Sequence, residues 1–241
     1  DLILASNVFA HSDKLKEMAE CMLKLLNKNG TIIIEVQYLL NTLKDLTFDN
    51  IYHEHYNYWS LTSLNNFFYK LNATILKVER INTHGGSIRV FIKKGTKIKI
   101  ETSVKKLLRE EEIFGIKKYK TYKDFGEKIN KLKKNVLKNI NDLKKNNKKI
   151  IGFGAPAKAT TALNFFGISD QIDFVIEDNK LKQNKFLPGV NIPICSRKIV
   201  KKPLKIIIVL AWNFFDEIKR KNSSLGKKFL SIKDLEKKNF I

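Results

Sequence analysis

Cysteine is scarce in this chain of 241 residues, which contains only Cys21 and Cys195. The two residues lie far apart in the sequence, and neither belongs to a CxxC pair. Disulfide-stabilised small domains and four-cysteine zinc modules need several closely spaced cysteines. The sequence therefore indicates neither a disulfide framework nor a metal site in this chain, and the cytoplasm is the location we expect.

Long apolar runs are also missing. No stretch approaches the roughly twenty apolar residues that a membrane span needs, and no basic-then-apolar signal sequence opens the chain. We therefore expect a soluble protein with no membrane partner. The chain begins at Asp1 and continues at once into Leu2–Ala5, a run typical of a buried parallel strand. Because a domain rarely starts on a central strand, we expect a further N-terminal part ahead of it.

Arginine is scarce too, although the formal net charge is +22. Lysine supplies most of the excess and is spread along the whole chain, and the only arginines are Arg80, Arg89, Arg109, Arg197 and Arg220. A clustered basic surface would predict nucleic-acid binding, but scattered lysine among many Asn, Ile and Phe residues fits an AT-rich coding sequence at least as well. A nucleic-acid-binding module stays an alternative, and the lack of interleaved aromatic and basic residues argues against it.

The hydrophobic pattern predicts an α/β fold. Leu2–Ala5 and Thr31–Val36 have strand patterns and flank a helical pattern over Asp13–Leu26, which is the arrangement of a parallel crossover. The other elements predicted for this first unit are a helix and an antiparallel strand pair, at 61–71, 73–81 and 87–93.

A second α/β unit is predicted after a charged region whose helical apolar spacing, over 101–147, indicates connecting helices. It opens with a strand, a glycine turn and a helix at 149–158, and further strands are predicted at 173–178, 206–210 and 228–230, with a helix at 212–221. The predicted domains are therefore 1–95, 96–147 and 148–241.

The segment Phe48–Leu61 combines histidines, a carboxylate and phenols within a few residues, among them Tyr52, His53, Glu54 and His55. Imidazole titrates near neutral pH, and a neighbouring carboxylate can set its tautomer and raise its basicity. Any one of these histidines alone would more often be a solvated loop residue. The whole cluster follows a predicted parallel strand, at the edge where such sheets bind ligands, and it therefore predicts an active site.

Other polar residues come directly after the same two parallel strands and share that edge. Ser6, Asn7, Val8 and His11 follow the first strand, and Tyr38 follows the second. His11 could join the histidine cluster across the edge, although a lone histidine near a helix start is more often structural.

The glycine turn Gly152–Ala157 opens a helix after a strand, where free backbone amides and the helix dipole favour an anion. Ala157 replaces the third glycine of the dinucleotide motif, so a tight turn without a ligand is about as consistent with the pattern. Lys158 favours the anion site, and Asp178 stands where dinucleotide folds place a ribose-binding acid. An NAD(P)-dependent oxidoreductase is thus a second alternative, but it leaves the histidine segment unexplained.

Taken together, these motifs resemble the sugar C-methyltransferases, which use S-adenosylmethionine (SAM) to methylate a carbon of a keto-deoxy sugar carried on a nucleoside diphosphate. The resemblance covers essentially the whole chain, and the combination of the YHEH and GxGAPAK motifs is specific. The matching segments are 7–11, 48–55, 84–90, 152–159, 187–189 and 192–194.

The resemblance implies an N-terminal zinc-binding module, a class I SAM methyltransferase domain and a C-terminal Rossmann-like domain. This chain lacks the zinc module and the glycine-rich SAM loop. Residues 1–95 would then be the C-terminal half of the methyltransferase sheet, and zinc would belong only to the missing module. SAM is the expected cofactor and a nucleoside-diphosphate sugar the expected partner; we expect no activity from the isolated fragment.

The resemblance also implies roles for individual residues. His55, held by Glu54, would remove the proton next to the sugar ketone, while Tyr52 and His11 would hydrogen-bond the ketone oxygen. Ser6, Asn7 and Val8 would line the SAM pocket. The residues expected to contact the nucleotide sugar are Tyr38, His53, Arg89, Gly154, Ala155, Lys158, Thr161 and Asp178.

Overall fold

The structure is a computed structural model and describes residues 1–145 and 149–236. These residues form two compact units. The first comprises Asp1–Phe48 and His53–Gly126, and the second comprises Asp49–Tyr52 and the chain from Glu127 onward. The short segment Asp49–Tyr52 therefore belongs to a different unit from its sequence neighbours. The domain boundaries predicted at 95 and 147 stay a prediction, and the second lies outside the described residues.

The first unit contains a four-stranded sheet of order β1-β2-β4-β3. β1 and β2 are parallel, whereas β4 pairs antiparallel with both β2 and β3. The predicted crossover strands and the predicted hairpin are thus confirmed. The strands are β1 (Leu2–Ser6), β2 (Thr31–Gln37), β3 (Ala73–Ile81) and β4 (Ser87–Lys94).

Four helices accompany this sheet: α1 (Leu15–Leu25), α2 (Leu39–Asp45), α3 (Leu61–Lys70) and α4 (Thr102–Phe114). The apolar residues of α4, including Val104 and Leu107, are buried in the same core as the sheet. Because these contacts lie within the first unit, α4 is an integral part of it. The helix α2 was not predicted, since seven residues are too few for a helical period to stand out.

The prediction that β1 is a buried strand is wrong for this chain. Among the described strands β1 pairs with β2 alone, so it lies at the edge of the sheet. Leu2 and Leu4 are 57% and 66% exposed, whereas Ala5 on the opposite face is buried. Apolar composition alone cannot distinguish an edge strand with one covered face from a central strand.

The carboxylate of Glu111 on α4 organises the first unit. Glu111 is fully buried and accepts the hydroxyl of Tyr38 at 2.8 Å. It also accepts the backbone amides of Leu61 and Thr62, at 2.6 and 2.8 Å, together with the Thr62 hydroxyl. A carboxylate at a helix N-terminus satisfies amides that have no partner within the helix. Glu111 thereby joins the end of β2, the start of α3 and α4.

The second unit contains a six-stranded sheet of order β10-β9-β5-β6-β8-β7, which is parallel except for β7 against β8. β5 and β9 are buried on both faces, as expected for parallel strands rich in isoleucine. The strands are β5 (Ile150–Phe153), β6 (Val175–Ile176), β7 (Lys185–Phe186), β8 (Pro193–Cys195), β9 (Leu204–Val209) and β10 (Gly226–Ser231).

The helices of this part of the chain are α5 (Tyr119–Lys145), α6 (Ala157–Phe166) and α7 (Phe215–Lys221). Residues of α5 up to Gly126 belong to the first unit and those from Glu127 to the second. Two predicted elements are shorter than expected: the strand predicted at 173–178 is only β6, and α7 starts after a short 3-10 turn at Trp212–Phe214. Strands β7 and β8 were not predicted, because two or three residues carry no measurable period.

The mixed α/β class predicted from the sequence is confirmed. Within the described ranges 1–145 and 149–236, every helix is either too short or too polar to cross a lipid bilayer.

Glu111→Ala should lower the free energy of unfolding by about 3 kcal/mol or more, because two helix amides and a buried phenol lose their acceptor together. Glu112, the exposed neighbour on the same helix, provides the control, and Glu112→Ala should change stability by less than about 0.5 kcal/mol. Urea denaturation of both variants measures the difference. Equal stability of the two variants would contradict the organising role of Glu111.

Gly154 in the turn after β5 has a φ of +89°, and a Cβ there would lie 2.8 Å from the Cβ of Ala211. Gly154→Ala should therefore cost about 1–3 kcal/mol of unfolding free energy. Gly126 lies inside α5 with open space around it, so Gly126→Ala should stabilise by about 0.5–1 kcal/mol. Thermal denaturation should show opposite signs for the pair, and the same sign would contradict the strain at Gly154.

Candidate functional site

Two of the histidines predicted to act together lie side by side in the first unit. His11 ends a short 3-10 turn that follows β1, and His55 lies in the loop ahead of α3. Their ring centroids are 4.9 Å apart, with the planes inclined by 48°. Tyr58 adds a third ring, which stands at a right angle to His55 at 6.2 Å. Tyr58 was not among the predicted site residues, although it lies in the same aromatic segment.

The histidine loop is bound to the turn after β1 by hydrogen bonds. The amide of Tyr56 donates to the carbonyl of Ala10 at 3.0 Å, and the Asn57 side chain donates to the carbonyl of Ser12 at 3.2 Å. Below the turn, the fully buried ring of Phe9 packs within 6 Å of the rings of Trp59, Phe67 and Phe68. These contacts fix His11 and His55 on one packed support.

The hydrogen bond of His11 determines its tautomer. Its Nδ1 lies 2.7 Å from the backbone carbonyl oxygen of Glu54. A carbonyl oxygen can only accept, so Nδ1 must carry the proton. In neutral His11 the Nε2 atom is then an acceptor, and it becomes a donor only in the imidazolium form.

Glu54 contacts a histidine through its backbone. The residue is exposed, and its backbone carbonyl lies against His11. The predicted support of His55 by the Glu54 carboxylate stays a prediction. His53 is exposed in the first unit, and Tyr52 belongs to the second.

The residues predicted to line a SAM pocket follow β1 directly. Asn7 has a left-handed backbone with a φ of 55°, and its amide donates to the carbonyl of Glu35 at 2.9 Å. Its side chain donates to the Ser6 hydroxyl at 3.3 Å, and Val8 is 48% exposed. An exposed hydroxyl, an amide and an apolar surface are thus displayed at the carboxyl edge of the two parallel strands.

Two predicted substrate contacts have other partners. Tyr38 is 1% exposed and donates to Glu111, and burial beside that carboxylate raises the pKa of its phenol. Arg89 forms ion pairs with Glu35 at 3.0 Å and with Glu79 at 3.8 Å. A buried phenol and a guanidinium neutralised by two carboxylates are poor phosphate ligands, so the structure favours structural roles for both residues.

The glycine turn of the second unit already holds a carboxylate of the protein itself. The amide of Ala155, in the turn predicted to bind an anion, donates to Glu177 Oε2 at 2.8 Å. The other carboxylate oxygen of Glu177 accepts the amide of Asn179, and Lys182 donates to the Ala155 carbonyl at 2.8 Å. The Ala155 amide is therefore occupied within the protein, and the contact of Ala155 with the nucleotide sugar stays a prediction.

Asp178, the predicted ribose acid, forms a two-point ion pair with Arg197, with 2.9 Å from its Oδ1 to the arginine Nε. A cavity of about 430 Å³ lies at this edge of the second sheet, and Gly154, Asp178 and Arg197 are among its lining residues. The polar wall of the cavity thus consists largely of groups that are already paired with each other.

The two predicted contacts on α6, Lys158 and Thr161, are both partly buried. The ammonium of Lys158 is buried and lies 5.2 Å above the indole ring of Trp212. Burial lowers the pKa of Lys158, and the charge of Asp49 counteracts this. The hydroxyl of Thr161 bonds to the carbonyl of Ala157 within the helix. Neither Asp49 nor Trp212 was predicted as a site residue, and no sequence spacing connects positions 163 residues apart.

Comparison with known proteins gives matches over most of the chain. Residues 82–230 match the family model described as the C-methyltransferase C-terminal domain, and residues 1–78 match a methyltransferase domain. The chain is 33% identical over 220 residues to the C-methyltransferase NovU of Streptomyces niveus. The match covers 90% of this chain and 52% of that protein, so the chain spans about half the length of this relative. The chain belongs to the C-methyltransferase family.

Proposed function

We propose that the protein containing this chain transfers a methyl group from SAM to a carbon next to the ketone of a keto-deoxy sugar carried on a nucleoside diphosphate. The observation that carries the proposal is the packed pair of His11 and His55 at the carboxyl edge of β1 and β2. Membership of the C-methyltransferase family supplies the reaction class. Carbon must be deprotonated before it can accept a methyl group, and imidazole can do this near neutral pH.

The residues after β1 fit a nucleoside-containing cofactor. The exposed Ser6 hydroxyl and the Asn7 amide can hydrogen-bond polar groups, and Val8 offers apolar surface. SAM, when bound, supplies an electrophilic methyl group on a sulfonium. This set lies at the carboxyl edge of parallel strands, where α/β sheets bind ligands.

His55 acts as the base. It takes the proton from the carbon next to the ketone, and the electron pair of the broken C–H bond moves into the enolate. The enolate carbon forms the new bond to methyl, and the electrons of the cleaved carbon–sulfur bond stay on the leaving thioether. Negative charge builds on the ketone oxygen and needs a hydrogen-bond donor. In other enzymes, one such donor stabilises the transition state by about 3 kcal/mol. We assign Tyr52 to that role, as the resemblance implies.

His11 orients His55. Because the Glu54 carbonyl holds the Nδ1 proton, the Nε2 of neutral His11 is an acceptor. It can then receive an N–H of His55 and leave the other ring nitrogen of His55 as the base. His11 could donate to a ketone oxygen only as an imidazolium, so its role toward His55 is the one that the hydrogen bond favours.

The nucleotide part of the substrate is assigned from the motif resemblance, supported by the cavity that Gly154 lines. Of the predicted contacts, His53 and Asp178 are exposed and Thr161 is partly exposed. The oxidoreductase alternative loses support, because the Ala155 amide and the Asp178 carboxylate already have partners within the protein.

His55→Ala in the complete encoded polypeptide should reduce methyl transfer by about 100-fold or more, since a positioned base contributes on this scale. Transfer of labelled methyl from SAM to a thymidine- or uridine-diphosphate keto sugar measures the rate. His84, in the β3–β4 turn with a φ of 52°, is the control. Asparagine tolerates that backbone, so His84→Asn should retain the parent rate.

Methyl transfer by His55→Ala at a rate within about threefold of the parent would remove His55 from its role as base. Equal losses in His55→Ala and His84→Asn would show instead that both substitutions act through the fold.

A further inference from the structure

The segment that precedes the histidines is held by a buried polar contact. Asp49 is 5% exposed, and its carboxylate accepts the indole N–H of Trp212 at 2.5 Å. Both residues belong to the second unit, together with Asn50, Ile51 and Tyr52. The flanking stretches Asp1–Phe48 and His53–Gly126 belong to the first unit. The hydrogen bond between Asp49 and Trp212 is one of the contacts that join these four residues to the second unit.

Two ammonium groups complete the environment of Trp212. Lys158 lies 5.2 Å and Lys233 5.5 Å from the centre of the indole ring. An indole face attracts cations, and its N–H edge attracts an anion such as the Asp49 carboxylate. The ring therefore stands between the two kinds of charge and has a favourable contact with each.

The burial of these charges carries a cost. Burial raises the pKa of the Asp49 carboxyl, and the Trp212 hydrogen bond, Lys158 and Lys233 act in the opposite direction. The Lys158 ammonium finds no hydrogen-bond partner among the residues that the structure describes. Apolar residues of the same volume are often as stable as such buried charges or more stable, so net stability alone does not account for them.

A phosphate site at Lys158 is less consistent with these contacts. The Lys158 nitrogen has almost no accessible surface, and the nearest charge that acts on it is the carboxylate of Asp49. A phosphate at this point would have to displace the indole or meet a like charge. The contacts of Trp212 and the two lysines stabilise the position of the segment 49–52 instead.

We propose that Asp49 and Trp212 are positioning residues, which fix the segment Asp49–Tyr52 within the second unit and so set the location of Tyr52. Tyr52 is only three residues from Asp49, and His55 is three further. A displacement of about 1 Å at a reacting group can cost on the order of 100-fold in rate. The inference rests on the proposed function of Tyr52, but its structural part can be tested without any reaction.

Three substitutions test the donor and the acceptor of the Asp49–Trp212 hydrogen bond separately. Trp212→Phe removes the N–H donor and keeps a ring face for the lysines, whereas Asp49→Ala removes the acceptor and leaves Trp212 and the sheet intact. Asp49→Asn keeps an acceptor oxygen and should restore the segment. Lys133→Met is the matched control, because it removes an ammonium 4.9 Å from the ring of Phe165, also in the second unit.

Amide hydrogen exchange gives the first result. Amides of residues 50–52 should exchange at least about 10-fold faster in Asp49→Ala and Trp212→Phe than in the parent, while amides of β5 and β9 keep their protection. Lys133→Met and Asp49→Asn should match the parent. Unchanged exchange at 50–52 in Asp49→Ala would overturn the proposal, whether or not Trp212→Phe folds.

Kinetics of the complete polypeptide give the second result. Asp49→Ala and Trp212→Phe should each lower kcat by about 10- to 100-fold with little change in KM. The double variant should lose no more than either single one, because both remove the same bond. A loss of kcat in the double variant equal to the product of the two single losses would overturn the positioning role, and so would a change confined to KM. If the parent polypeptide is inactive, the proposed function is rejected. The exchange result alone then decides whether the Asp49–Trp212 contact fixes residues 50–52.

Discussion

The buried carboxylate of Glu111 is the interaction on which the first unit depends. It joins the end of β2, the start of α3 and the body of α4 through four donors, none of which could be left unpaired in the core without cost. The loop that carries His55 ends where α3 begins, so the same carboxylate fixes one end of that loop. Within the second unit, the carboxylate of Asp49 is bonded to Trp212.

Around the His11–His55 pair, backbone groups set the geometry more than charged side chains do. The Glu54 carbonyl, not its carboxylate, sets the tautomer of His11, and His11 lies against His55. In the second unit, the Glu177 carboxylate takes the amide that a bound anion would need. A family assignment combined with this geometry supports base-generated methyl transfer at the first site, and it offers little support for a dinucleotide at the second.

Much of the fold could be predicted from the sequence, because β1, β2, the β3–β4 hairpin and β5 have clear strand patterns. The edge position of β1 and the short helix α2 could not, because composition and a seven-residue period do not reveal them. The roles of Tyr38 and Arg89 depend on partners distant in sequence: Glu111 lies 73 residues from Tyr38, and Glu35 lies 54 residues from Arg89. The segment 48–61 could be proposed as a candidate site from its residue types, but the contact of Asp49 to Trp212 exists only in the folded chain.

The central claim is that His55 removes a proton from carbon beside a ketone, and solvent exchange tests this most directly. The complete polypeptide and a nucleoside-diphosphate keto sugar are incubated in D₂O without SAM, and deuterium at the carbon next to the ketone is followed by NMR. The account predicts that the parent protein incorporates deuterium at one carbon and that His55→Ala incorporates it no faster than the uncatalysed sample. Undiminished incorporation by His55→Ala would contradict the account.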